Sequence, residues 1–148
     1  MTPTVFGRWQ TRFFLLFTFG AIVTYIYASF MGNFRMLFII LSYVFFIGLA
    51  WDVLYYYLQH YRWDSDWPPV YQLIAGVVEG IFLWLLIAGL LPVQFLGLAG
   101  LPGIDVTLKA NDFITHYSSV WIVTFLAAQS IMRIIFPRWR YMGGEWLK

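Results

Sequence analysis

Cysteine is missing from this 148-residue sequence, and charged residues are scarce at 11%. Without cysteine there can be no disulfide, thiolate metal site, cysteine nucleophile or CxxC redox motif. Soluble domains carry about one quarter charged residues, and a soluble fold of this length buries only about 70% of the surface of its chain. A chain that is 61% hydrophobic therefore needs lipid around it. The sequence predicts a single membrane domain over 1–148.

Familiar catalytic motifs are missing as well. The sequence contains no phosphate loop, no HExxH, no GxSxG and no Ser/His/Asp set at a plausible depth. No lysine lies inside an apolar run, which excludes a retinal-type Schiff base in the membrane core. We therefore expect neither an enzyme nor a metal centre, and we expect lipid as the bound small molecule.

Four apolar runs are long enough to cross a bilayer, which takes about 20 residues. They cover roughly residues 13–31, 36–58, 70–91 and 113–136. Short links make consecutive helices antiparallel neighbours, so the sequence predicts an all-α, up-down bundle of four transmembrane helices. The third link, 92–112, is long, apolar and rich in glycine and proline, and we expect it to cap the outer membrane surface.

Positive charge is distributed unevenly between the two ends of this bundle. One end would hold Arg35 and Lys109, and the other would hold both chain termini. The basic residues at the second end are Arg8, Arg12, Arg62, Arg133, Arg138, Arg140 and Lys148. By the positive-inside rule, both termini are predicted to be cytoplasmic, in a bacterial inner membrane or a thylakoid membrane.

Arginine stands beside tryptophan three times, always next to an apolar run. Indole rings settle at the level of lipid headgroups, where arginine can hold phosphate, so this end is predicted to anchor the protein at the interface. Arginine and tryptophan are also frequent hot-spot residues, so the same face could dock another protein. The residues assigned to this face are Arg8, Trp9, Arg62, Trp63, Trp67, Arg138, Trp139, Arg140 and Trp146.

Polar side chains inside the runs are the best functional leads, because they are costly in lipid. Glu79 is predicted close to the midplane, while Asp52, Gln129 and Arg133 lie nearer the cytoplasm at 1.5 Å per residue. Helical spacing places Gln129 and Arg133 on one face, which we expect to meet Asp52. Asp52 and Arg133 are then predicted to form an ion pair.

The faces around this pair also carry Gln72 and three glycines. Gly76 and Gly80 form a GxxxG pattern with Glu79 on the same face, and Gly48 shares a face with Asp52. As a structural element, the pair would staple the helices while the glycines permit close packing, and Glu79 would meet Gln129 or stay protonated. As a functional element, Glu79 and Asp52 would carry a proton or cation.

His116 lies towards the outer end of the fourth run, and His60 lies at the opposite end of the bundle. The bilayer separates them, so one chain cannot build a bis-histidine haem site from both. His116 alone could ligate a chlorin or a haem with help from a partner chain. Asp112 precedes His116 by one helical turn, but two ligands are too few for a metal site. A hydrogen-bonded interfacial histidine is the simpler expectation.

Three strings have a familiar order: WDVLYYYLQHYRWDSDWPP (51–69), GVVEG (76–80) and PRWRYMGGEW (137–146). In this order the chain resembles uncharacterised small polytopic membrane proteins of bacteria, of the cyanobacterial or actinobacterial kind. The resemblance implies a bacterial integral membrane protein and carries no activity or residue role.

The function expected from these features is that of a non-catalytic accessory or scaffold subunit of a larger membrane complex. Its partners would be other integral membrane proteins, or further copies of itself, and membrane lipids. The alternative is a small proton- or cation-coupled transporter or channel centred on Glu79 and Asp52. A second alternative is a pigment- or haem-binding subunit that uses His116.

Overall fold

The computed structural model describes residues 2–63, 65–90, 101–104, 108–139 and 141–147. Within these ranges the protein is helical and contains no strand. Four helical segments are long and apolar enough to cross a membrane, which confirms the all-α, four-helix prediction. They are α1 (Val5–Met31), α2 (Phe34–His60), α3 (Pro69–Ile87) and the segment Ala110–Ile135, which consists of α4 (Ala110–Gln129) and the short α5 (Ile131–Ile135).

Local sequence signals account for the ends of these helices. The hydroxyl of Thr4 caps α1 by accepting from the amide of Gly7 at 3.0 Å. Gly32 ends α1 in the left-handed region with φ of 72°, and the side chain of Asn33 accepts from the amide of Met36 to start α2. Pro69 begins α3, where its missing N–H costs nothing.

A π-helical turn, Leu16–Gly20, interrupts α1 near its middle. The buried positions Leu16, Gly20, Thr24 and Ala28 follow at intervals of four residues. An ideal helix has 3.6 residues per turn, so a strict repeat of four would drift around it. A π turn is wider and absorbs part of that drift, which keeps one face of α1 against the bundle along its length.

Pairs of contacts show how successive helices lie against each other. From α1 to α2, Arg12 meets Asp52 and Ala28 packs in the same cluster as Leu37 and Ile40. From α2 to α3, Tyr55 reaches Ala75 and Trp51 meets Phe82. Between α3 and α4, Gln72 meets Gln129 and Trp84 meets Phe113. In each pair of helices, one residue number rises as the other falls.

The last described segment folds back over the start of α1. The Thr4 amide donates to the carbonyl of Gly143 at 2.8 Å, and the Gln10 side chain accepts from the amides of Trp146 and Leu147. The Trp139 indole donates to the hydroxyl of Thr11 at 2.8 Å. These hydrogen bonds place Trp139 and residues 141–147 at the end of the bundle where α1 begins.

The span boundaries differ from the sequence prediction in one consequential place. The first span begins at Val5 rather than near residue 13, so Arg8 and Arg12 belong to the helix instead of preceding it. The third ends at Ile87 and the fourth begins at Ala110. Arg140, Lys148 and most of the predicted outer loop 92–112 lie outside the described residues.

Candidate functional site

Arg12 holds two carboxylates at the centre of the bundle. Its Nε and Nη2 donate to Asp52 at 2.7 and 3.0 Å, and its Nη1 and Nη2 donate to Glu79 at 3.0 and 3.1 Å. Asp52 is 5% exposed and Glu79 is 9% exposed. The Arg12 cluster, meaning Arg12, Asp52 and Glu79, therefore ties α1, α2 and α3 together with four charge-assisted hydrogen bonds.

A glycine on α2 makes room for this arrangement. Gly48 lies one helical turn before Asp52, and a Cβ atom at Gly48 would overlap the guanidinium of Arg12. The guanidinium thus lies against the backbone of α2 at Gly48 while its nitrogens donate to the two carboxylates. Lysine offers a single charged point and could not hold both carboxylates in two-pronged contacts.

The predicted partner of Asp52 was wrong, because Arg12 takes the place predicted for Arg133. Arg133 is exposed and donates to the side chain of Gln129 at 2.7 Å. Gln129 in turn donates to Gln72 at 3.1 Å, so these three residues form a separate polar chain. The physical reason is that α1 begins earlier than its apolar run, which brings Arg12 well inside the bundle.

The GxxxG pattern in α3 admits aromatic rings rather than a neighbouring backbone. The Trp121 indole lies where a side chain at Gly76 would be, and the Tyr117 ring lies against Gly80. The Tyr117 hydroxyl also donates to the carbonyl of Gly76 at 2.7 Å. Gly76 and Gly80 thereby bring two large rings of α4 close to Glu79.

The Arg-Trp pairs have different surroundings from one another. The Arg8 guanidinium lies over the Trp67 ring at 4.7 Å and donates to Gln59 at 2.9 Å, while the Trp9 indole donates to the carbonyl of Leu49. The Arg62 guanidinium lies over the Tyr71 ring at 4.9 Å. Arginine at this end therefore contacts aromatic faces of the protein itself.

The remaining tryptophans of this end divide into packed and exposed side chains. Trp139 is 7% exposed, and the Trp146 ring packs against Phe14 and Phe136. Trp63 is 95% exposed, and Arg138 is exposed beside Trp139. Among these side chains, Trp63 and Arg138 present the free surface that docking to lipid or protein requires.

His116 is packed among its neighbours, with 1% of its surface exposed. Its Nε2 is 3.0 Å from the hydroxyl of Thr24, and its ring is 5.5 Å from that of Tyr27. A haem or chlorin bound through Nε2 would have to displace Thr24. His60 lies on another helix, with Nδ1 2.8 Å from the carbonyl of Tyr56. Among the described residues, no group of three metal-ligating side chains occurs.

A cavity of about 290 Å³ extends from the Arg12 cluster to the end of the bundle where α1 begins. Its deep part is lined by the Arg12 cluster together with the apolar side chains of Leu16, Val44 and Val120. Its mouth is lined by residues of the α2–α3 link and of the last segment, including Trp67 and Gly144. The walls between are aromatic and amide side chains: Tyr55, Gln72, Tyr117, Trp121, Phe125 and Gln129. Arg8, Asp66 and Arg133 add three further charges.

Several side chains of this site were not predicted as site residues, among them Arg12, Tyr55, Tyr117 and Trp121. One available signal was the spacing of Arg8 and Arg12, which puts two cations on one helical face one turn apart. The aromatic residues gave no such signal in a chain that is 22% aromatic. Only the packing of α4 against the glycines of α3 distinguishes Tyr117 and Trp121 from the others.

The chain matches no family model, no curated protein and no solved structure. The geometry of the site therefore has to indicate the function by itself.

Proposed function

We propose that this protein is a small membrane transporter whose substrate site is the cavity above the Arg12 cluster. The observation that carries the proposal is the cavity itself, because it joins a charged base near the middle of the bundle to one end of the molecule. Binding sites of membrane transporters commonly lie near the midplane and open to one side at a time. A scaffold subunit has no need of such a space.

The lining of the cavity supports a solute with both polar and apolar parts. Ligand sites are mostly apolar, with a few polar groups that fix orientation. Here Trp121, Tyr117 and Phe125 supply ring surface, and the Arg12 cluster supplies charge. The volume of about 290 Å³ lies at the small end of the range for ligand pockets. A compact solute fits better than a pigment.

Tight apolar packing on the far side of the Arg12 cluster from the cavity mouth supports a protein that is open to one side of the membrane only. Leu37, Ile40, Leu83 and Phe113 form one cluster, and each is at most 2% exposed. This apolar cluster occupies the bundle between the Arg12 cluster and the end that carries Gly32. A transporter needs a closed barrier at one side of its substrate while the other side is open.

An exchange assay tests the proposal even though the substrate is unidentified. Proteoliposomes are loaded with a ¹³C-labelled extract of cells of the source organism and diluted into unlabelled extract. Mass spectrometry of the medium is expected to show at least one labelled solute leaving faster than from protein-free vesicles. Thr124→Phe places a ring in the cavity lining and should reduce that exchange at least tenfold.

Ile122→Phe is the matched control, because Ile122 lies on the same helix, is 48% exposed and does not line the cavity. Its exchange rate should stay close to that of the wild type. Equal efflux from all protein-containing and protein-free vesicles would contradict the transporter proposal.

The proposed topology is an up-down bundle with both termini in the cytoplasm of a bacterial cell, in the inner or thylakoid membrane. Support comes from charge: Arg8, Arg62 and Arg138 belong to the end where the cavity opens, and Arg35 and Lys109 belong to segments at the other. The antiparallel contact pairs agree with this arrangement. The cavity would then face the cytoplasm.

A second candidate function, an accessory subunit of a larger complex, is favoured by exposed rings at the cavity end. Tyr61, Trp63 and Tyr141 are 77%, 95% and 88% exposed. Mild-detergent extraction of the tagged protein, followed by a native gel and mass spectrometry, tests it. Stoichiometric migration with a large membrane complex would support this function, and migration as a monomer or homo-oligomer would contradict it.

A further inference from the structure

We infer that the substrate is a small organic anion, and that it takes the place of Glu79 on Arg12 while Glu79 takes up a proton. This inference rests on the proposed function and names the substrate class and the coupling. Three observations support it. The acceptors around the cavity are already hydrogen-bonded while a donor is available, Arg12 holds Glu79 less closely than Asp52, and the charge of the cluster is the same before and after exchange.

The carboxylate oxygens in the deep part of the cavity already have a partner. All four oxygens of Asp52 and Glu79 accept from Arg12 at 2.7–3.1 Å. An organic cation entering this site would have to compete with an arginine that is held by both carboxylates. The acceptors of the site therefore do not favour a positively charged solute.

Donors of the cavity wall, by contrast, are available to an incoming acceptor. The described part of the chain provides no acceptor for the N–H groups of the Gln72 side-chain amide. Gln72 lines the cavity and lies two helical turns before Glu79 on α3. A carboxylate oxygen that entered here would meet donors it can use, next to ring surface for an apolar part.

Glu79 is the carboxylate of the cluster that is easier to displace. Its hydrogen bonds to Arg12 measure 3.0 and 3.1 Å, whereas those of Asp52 measure 2.7 and 3.0 Å. The Glu79 side chain is also slightly more exposed, at 10% against 7%. Asp52 would stay on Arg12 and keep that guanidinium paired while Glu79 leaves.

The exchange keeps the charge of the buried cluster constant. Arg12, Asp52 and Glu79 carry +1, −1 and −1. A proton from bulk solution enters through the mouth of the cavity and binds a Glu79 oxygen, the two Arg12–Glu79 interactions break, and a substrate carboxylate accepts from Nη1 and Nη2 of Arg12. The cluster, now with substrate, again carries −1. Since charge in lipid is costly, an exchange without net change in charge is the least costly way to bind an anion here.

Several other groups face Glu79 and shape this exchange. Tyr55 of α2 and Tyr117 of α4 lie close enough to interact with it electrostatically, as does Arg8 one turn before Arg12. The Tyr117 hydroxyl donates to the carbonyl of Gly76 at 2.7 Å and the Tyr55 hydroxyl to that of Ala75 at 3.4 Å, so each would have to leave its carbonyl to donate to Glu79 or to the substrate. None of them carries a negative charge near neutral pH, so Asp52 is the anion nearest to Glu79.

Binding of three probes of one shape but different charge tests the inference. Benzoate, benzyl alcohol and benzylammonium are titrated into the wild-type protein in nanodiscs, between neutral and mildly acidic pH. Benzoate is expected to bind most tightly, and its Kd should fall by up to about tenfold for each unit by which the pH is lowered, because one proton is taken up with each anion.

Glu79→Gln separates this inference from a structural role. The amide removes the proton from the exchange and leaves Arg12 paired with Asp52, so the variant should still bind benzoate. Its Kd should change less than about twofold over the same pH range, since no proton is linked to binding. Asp52→Asn is the matched control, which should keep the pH dependence of the wild type if it binds benzoate.

The outcomes distinguish the two proposals. Failure of all three probes to bind the wild type would contradict the cavity as a substrate site, and with it the proposed function. Tighter binding of benzylammonium than of benzoate would agree with a substrate site in the cavity but would contradict an anionic substrate. Benzoate binding that ignores pH, or that keeps its pH dependence in Glu79→Gln, would overturn the proton exchange.

Discussion

Replacing Arg12 with methionine is expected to lower the free energy of unfolding by about 3–5 kcal/mol, the range seen when one partner of a buried ion pair is removed. Methionine leaves Asp52 and Glu79 facing each other among apolar side chains, with no cation between them. Two unpaired carboxylates buried side by side are costly, and this cost is what the substitution adds. Unfolding midpoints in detergent micelles, followed by tryptophan fluorescence, measure the loss.

Arg133→Met is the control for this prediction, because Arg133 is also a cation of a membrane segment. It is exposed, and its side chain has one hydrogen-bond partner among the described residues, Gln129. Its loss should cost no more than about 0.5 kcal/mol, as for other surface substitutions. Equal losses for the two variants would contradict the pairing of Arg12 with Asp52 and Glu79.

A third variant shows whether the cost comes from unpaired charge or from lost packing. Arg12→Met combined with Asp52→Asn and Glu79→Gln removes all three charges at once. Buried ion clusters replaced by neutral residues of similar size are often no less stable than the original. The triple variant should recover most of the stability that Arg12→Met loses, and no recovery would point to packing instead.

The four helices could be predicted from the sequence because apolar length alone decides them. A run of about 20 apolar residues has few alternatives to a membrane helix. The same criterion fails at the start of α1, because the polar residues Arg8, Gln10 and Arg12 precede the apolar run and are therefore not counted as part of the helix. In the structure that stretch is helical and its polar side chains are used: Gln10 binds the last segment and Arg12 the carboxylates.

The polar partners of the bundle could be predicted only in part, for a related reason. Asp52 and Glu79 could be predicted to lie inside the bundle, because each is the only charged residue of its apolar run. Predicting which cation pairs with them requires knowing how α1 is rotated about its axis and how deep it lies in the membrane. A hydrophobic pattern does not define either when a helix is apolar on most sides. Because Arg133 lies inside a run and Arg12 lies just outside one, the pattern favours the wrong cation.

The cavity could not be predicted at all, because it depends on how two rings and two glycines fit together. Trp121 covers Gly76 and Tyr117 covers Gly80, so space that small residues create in α3 is filled by α4. The remaining space lies between these rings and the Arg12 cluster. The spacing of residues in the sequence does not show how far an aromatic ring extends into the space between helices.

Gly48→Ala is expected to destabilise the protein by about 3 kcal/mol, because the new methyl group would displace Arg12. In a helix interior that change normally stabilises by up to about 1 kcal/mol, since alanine is the better helix former. Here the methyl would overlap the guanidinium, and the Arg12–Asp52 and Arg12–Glu79 hydrogen bonds cannot all survive its movement. The sign of the effect is therefore the reverse of what helix propensity predicts.

Gly20→Ala provides the comparison within the same bundle. A Cβ atom at Gly20 would meet side-chain atoms of Leu16 at 3.2 Å and Leu41 at 3.4 Å, which can shift by a few tenths of an ångström. Its cost should stay below about 1 kcal/mol in the same fluorescence assay. Gly48→Ala should add almost nothing in the Arg12→Met background, because the side chain it displaces is already gone. Full additivity of these two changes would show that Gly48 does not act through Arg12.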